Sequence, residues 1–306
     1  MRPAFSVLFL TTLIGAGQGL LIAMVTGQIF VTLGGGPEVS GGFFAGGGLL
    51  ALILLGLGLV ASMFHLANPQ RGWRAASRWR TSWLSREVIL IPLLCGLVLL
   101  YALAHLLSLR EVSLVLGLLS LLVCLALFVC TGMIYACVRF IRQWASAWTV
   151  VNYLMMGLAS GFTLAAGYAG LAGSALAGFL TAAALALTLA ALAARLTQLW
   201  LNARGTARSC MKTAIGTHHT QIRQITQGFM GQSFNTQEFF TPGGAEAIRG
   251  LTLLFILAGF VAPLGLIVLG VPVVAFVIQF VGLMAERWVF FAAGEHVQNL
   301  YYQAKA

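Results

Sequence analysis

The sequence predicts an all-α polytopic membrane protein, a bundle of eight transmembrane helices. Three observations carry that reading. The 306 residues are 60% hydrophobic and only 8% charged, with a mean hydropathy of +0.96, whereas soluble domains carry about 25% charge. Eight apolar stretches are long enough to span, a crossing needing roughly 20 residues. Lipid offers the backbone no hydrogen-bond partner, so such stretches must satisfy themselves as helices. The chain contains no Asp, and its seven acids are all Glu.

The spans fall near 4–33, 43–66, 87–108, 112–138, 148–171, 174–199, 251–270 and 271–293. We treat 1–306 as one membrane domain with two notable connections, an Arg/Trp loop at 67–86 and a long loop at 200–250. The first span reads as a retained helix. It is too long for a cleavable leader, has only Arg2 before it, and is followed by no small-residue cleavage site ahead of a soluble domain. Its "GAGQG" (15–19) is a poor dinucleotide fingerprint, because no strand precedes it and it lies inside an apolar span. Together with "GGGLLALILLGLG" (46–58) it lets helices approach closely. Only "GVP" (270–272) divides the last two spans, and Pro92, Pro263 and Pro272 are the candidate helix breaks. The cysteines, Cys95, Cys124, Cys130, Cys137 and Cys210, show no CxxC spacing, and four fall inside spans. There they act as small apolar residues, so neither an iron–sulfur cluster nor a metal site is expected in this chain.

The net charge of +10 invites a nucleic-acid reading, but the distribution excludes it. With eight spans, the termini and connections 2–3, 4–5 and 6–7 share one face. That face takes 16 of the 17 basic residues and leaves only Arg110 opposite. The positive-inside rule then places both termini and the large loops in the cytoplasm. The opposite connections are too short to hold a partner.

The segment "FHLANPQRGWRAASRWRTSWLSREV" (64–88) concentrates five arginines and three tryptophans between two aliphatic runs. His65 leaves span 2 and Glu87 enters span 3, so both sit at one membrane margin. Ionisable groups there are costly and usually functional. An imidazole can bond one quinone carbonyl while a carboxylate exchanges a proton, and quinone reduction needs two protons and two electrons. The plainer reading is that His65 caps a helix and Glu87 pairs with Arg86 or Arg80. Trp73, Trp79 and Trp83 read as interfacial anchors. Arg71, Arg74, Arg78 and Arg80 suit lipid headgroups or an acidic face on a soluble subunit. In the long loop, Met211, Ile215, His218, Ile222, Ile225 and Phe229 fall at helical spacing and predict an amphipathic helix. It would lie on the membrane or against a partner. Toward the C-terminus, Glu286 and Arg287 predict a buried pair or a contact to the His65 region. A haem would need His65 and His296 as axial ligands, because His105 lies on the far side; no haem is expected.

The 64–88 segment, with its FHL, SWLSRE and the closing aromatic tail, resembles the membrane anchor subunit family of dimethyl sulfoxide reductases across most of the chain. Loop 6–7 resembles the branch serving sulfite dehydrogenases. The resemblance implies a complex with a molybdopterin catalytic subunit and a ferredoxin-like iron–sulfur subunit with four [4Fe-4S] clusters. The anchor of this anaerobic-respiration family would exchange electrons with ubiquinone or menaquinone. The family's quinone-site residues fall on His65 and Glu87, with Arg86 and Trp83 adjoining. A cytoplasmic catalytic module suits sulfite oxidation, with electrons flowing to quinone. The alternatives are a quinol-oxidising anchor, a haem b subunit, or a transporter; the absence of an internal repeat argues against the last.

Overall fold

The structure is a computed structural model and describes residues 3–66, 68–205, 210, 212–213, 216–219, 221–222 and 244–296. Its helices are α1 (Phe5–Thr32), α2 (Gly41–Met63), a 3-10 helix (Pro69–Arg78), α3 (Trp83–Leu106), α4 (Arg110–Ala136), α5 (Ala147–Leu171) and α6 (Ala177–Arg204). After the long loop come α7 (Gly244–Ile256), a π-helical turn (Leu257–Val261), α8 (Ala262–Val268) and α9 (Pro272–Ala292). Among the described residues, eight helices are long and apolar enough to cross a membrane, the seventh being the run Glu246–Val268. No strand occurs among the described residues.

Local chemistry explains several boundaries. α3 begins at Trp83, earlier than the hydropathy suggests, because the Ser82 side chain accepts the Ser85 N–H at 3.3 Å. Ser146 does the same for Trp148 at the start of α5, at 3.2 Å. Pro272 starts α9 in the first turn, where its missing N–H costs nothing. The π turn precedes Pro263, whose ring cannot continue the regular ladder. Pro92 sits inside α3 without ending it.

α1 is the central helix and packs against α2, α4, α5 and α9. α1 and α5 meet backbone to backbone: a Cβ on Gly19 would overlap the Gly157 carbonyl, and one on Gly161 would overlap Gly19 and Leu20. Gly282 and Gly259 make the same kind of contact between α9 and the π turn. The start of α1, the 3-10 segment and the 137–146 connection lie on one side of the bundle, its loop face.

Two sequence expectations change. The predicted helix over 211–229 is not continuous among its described residues. Lys212 and Thr213 are helical, but Gly216 adopts φ +71° and residues 216–219 and 221–222, including Ile222, are non-helical. Glycine in that left-handed conformation turns the chain, with Gly216 and Thr217 N–H groups both reaching the Lys212 carbonyl. Phe229 lies outside the described residues. Arg195, one of the 16 cations counted on the loop face, instead points into the bundle from α6 and is 3% exposed.

Candidate functional site: a polar crevice inside the bundle

A crevice opens between α1, α3, α4, α5 and α9, lined by Thr11, Gln18, Glu87, Thr131, Tyr153 and Arg287 among apolar Leu10, Ile14, Phe128, Met156 and Leu283. Glu87, Thr131, Tyr153 and Arg287 all lie four to six residues inside the loop-face ends of their helices. At about 1.5 Å of rise per residue that is a common depth of about 6–9 Å. As packed, the crevice holds about one or two water molecules, so a larger guest enters only if side chains such as Met156 or Leu283 move.

Glu87 is buried, and its Oε1 accepts a hydrogen bond from Thr131 Oγ1 at 2.5 Å. Its neighbour Arg86 turns the other way, donating to the carbonyls of Trp79 at 2.9 Å and Arg80 at 3.0 Å while lying 4.2 Å over the Trp83 ring. The plainer expectation of a Glu87–Arg86 or Glu87–Arg80 pair is therefore not what forms. Tyr153 is buried and brings a phenol to the crevice wall, its ring stacked on Tyr135 with the centroids 5.7 Å apart.

Behind Arg287 stands a buried charge cluster. Arg195 Nη2 meets Glu286 Oε1 at 2.8 Å, and Arg287 Nη1 meets Glu286 Oε2 at 3.5 Å. The Arg287 guanidinium lies 3.6 Å from the Tyr153 ring centroid. Arg195 also donates to Gln198, which accepts from Asn152 and donates to Thr149. The expected Glu286–Arg287 pair is present and belongs to the bundle interior. Sequence reading missed Arg195 as its third member, along with Thr131 and Tyr153. Their helical spacing placed them inside spans, but nothing in a single helix reveals the opposing charge.

His65 does not line the crevice. It is exposed in the turn after α2, which ends at Met63. The surrounding chain still displaces some of its water and holds its pKa below the ordinary histidine range. Arg71, Arg74, Arg78 and Arg80 are all exposed, as are Trp73 and Trp79. Arg74 lies 5.6 Å over the Trp73 ring and Arg80 lies 5.4 Å over that of Trp79. No group of three or more metal-ligating side chains occurs among the described residues.

The polar groups fit a quinone headgroup in chemistry. A buried carboxyl, two hydroxyls and a guanidinium converge at one depth in an otherwise apolar slot, the general make-up of a small-molecule site.

The family model described as "DMSO reductase anchor subunit (DmsC)" matches residues 2–293. The chain is also 47% identical to a sulfite dehydrogenase subunit of Allochromatium vinosum, over the full length of both chains.

Proposed function

Because the chain belongs to the DMSO reductase anchor subunit (DmsC) family and is a membrane anchor subunit that works with catalytic and electron-transfer partners, we propose that it reduces quinone in the Glu87 crevice. The observation that carries this reading is the buried Glu87 carboxyl, bonded to Thr131 and sharing its crevice with Tyr153 and Arg287. A quinone bound there accepts two electrons and two protons. Glu87 hands a proton to one carbonyl oxygen of the ring, the second proton reaching the other oxygen from water, while the Tyr153 hydroxyl and Arg287 orient the headgroup. His65, exposed at the same margin, refills the carboxyl from the aqueous side.

The partners we propose are an iron–sulfur subunit of the ferredoxin type and a molybdopterin subunit that oxidises sulfite. The cationic Arg71–Arg80 surface suits the acidic face of the first. The likeness to a sulfite dehydrogenase subunit supports electron flow toward quinone. The charge asymmetry supports loops and termini in the cytoplasm of a bacterial inner membrane. Buried Arg195 and Arg287 drop out of that charge count, and the remaining cations still favour the loop face.

The test is Glu87→Gln in the assembled complex. Quinone reduction should fall about 10²–10⁴-fold, the usual worth of a positioned proton donor, while sulfite-dependent reduction of an artificial dye persists. Undiminished quinone turnover would remove Glu87 from the site.

A further inference from the structure

The Arg195–Glu286–Arg287 cluster holds two guanidinium groups and one carboxylate inside the membrane-spanning bundle, at 3%, 5% and 0% exposure for Arg195, Arg287 and Glu286. Charges at such depth are rare, and they are tied to function more often than to stability. One Arg–Glu pair would already link α6 to α9, and the 2.8 Å Arg195–Glu286 contact is that pair. Arg287 adds a second cation, which leaves the three side chains with a net positive charge. A surplus buried cation is destabilising unless something answers it. Glu286, already engaged by Arg195, approaches Arg287 only at the longer distance of 3.5 Å, and Arg287 lines the crevice together with Glu87.

We propose that Arg287, held in place by the Arg195–Glu286 pair and the Tyr153 ring, makes the crevice select ring ligands that carry a negative charge on an oxygen. The ligand class is the acidic hydroxyquinones and the ionised forms of quinols. This rests on the quinone reading of the same crevice. Arg287 acts on the ligand directly, whereas Arg195 and Glu286 are positioning residues. The surplus charge of the cluster faces the slot in a low-dielectric setting, where a single guanidinium–oxygen contact is worth far more than at the surface.

The experiment uses the purified complex and two probes: 1,4-naphthoquinone, which is neutral, and 2-hydroxy-1,4-naphthoquinone, which is ionised at neutral pH. Binding of each is measured by calorimetry, apart from turnover. Wild type should prefer the ionised probe. Arg287→Gln leaves the neutral Arg195–Glu286 pair intact, so it should fold. It should weaken the ionised probe about tenfold or more and the neutral probe, which loses only a contact to an uncharged carbonyl oxygen, clearly less, a tenfold step being the least expected for losing a charged hydrogen bond. Arg287→Lys should restore most of the preference. Equal binding of the two probes by wild type, or equal loss of both in Arg287→Gln, overturns this proposal and leaves the quinone reading standing. Failure of wild type to bind either probe overturns the quinone reading itself.

Discussion

Thr131 and Glu87 face each other across the α3–α4 interface, Thr131 Oγ1 donating to Glu87 Oε1 at 2.5 Å. Each lies on the buried stripe of its helix. On α3 the stripe runs Glu87, Ile91, Leu94, Val98, Tyr101 and His105; on α4 it runs Ser113, Gly117, Ser120, Cys124, Leu127 and Thr131. Glu87 is thus an interior residue whose carboxyl is aimed by a neighbouring helix.

Thr131→Val tests that aim. The substitution keeps the shape and removes the hydroxyl that holds the carboxyl. A buried acceptor deprived of its donor costs about 1–3 kcal/mol, so quinone turnover should drop about tenfold or more as Glu87 loses its fixed orientation. Dye-linked activity of the complex should not change. Equal loss of both activities would assign Thr131 to assembly.

His65 supplies a pH signature. Its pKa is held below the ordinary histidine value, so the neutral imidazole persists to lower pH than a free histidine, and the ring charges only as pH falls through that depressed value. Refilling the carboxyl needs the protonated ring, so quinone turnover should fall as pH rises through that depressed value, a limb lying below about pH 6.5, the unperturbed midpoint. It should vanish in His65→Gln. A pH profile unchanged in that variant would separate His65 from the proton route.

The α1–α5 crossing gives a stability prediction. Gly19, Gly157 and Gly161 bring two backbones into contact, and a Cβ on Gly19 or Gly161 meets main chain that cannot rotate away. Gly161→Ala should therefore destabilise the bundle by about 3 kcal/mol, the upper end for overpacking. Thermal unfolding in detergent would read it. Gly170→Ala is the control, since nothing lies within 4 Å of a Cβ there, and it should be close to neutral.

These residues also show what the chain discloses in one dimension. Spans are legible because lipid demands about 20 apolar residues, and the eight crossings emerge within a few residues of their structural ends. Glu87 stood out in the sequence as a carboxyl against an aliphatic run, but its depth did not. The Ser82 cap extends α3 outward and leaves Glu87 one turn inside. Arg195 was misplaced for the opposite reason. A lone arginine near the end of an apolar run normally marks the interface, and only Glu286, distant in sequence and on another helix, cancels that rule. The pairing of Tyr153 with Arg287 is equally tertiary. His65 and Glu87 flank one loop in sequence, yet only Glu87 reaches the crevice.

The last prediction concerns the exposed arginines. Arg71, Arg74, Arg78 and Arg80 project from and beside a 3-10 helix that carries no buried residue, next to the exposed rings of Trp73 and Trp79. Nothing in the bundle needs these four charges for packing, so replacing them together with Gln should leave thermal stability and membrane insertion intact. If they meet an acidic subunit, association is steered by charge and falls with salt. The quadruple variant should then lose the copurifying iron–sulfur partner, and wild-type copurification should decline as ionic strength rises. If they hold only anionic lipid, the partner stays bound in the variant while bound lipid falls. Because the crevice lies toward this same face, loss of the partner should abolish substrate-driven quinone reduction while calorimetric binding of a quinone to the isolated anchor persists. That dissociation of docking from binding is the expected outcome if docking rests on the exposed arginines and quinone binding on buried Glu87.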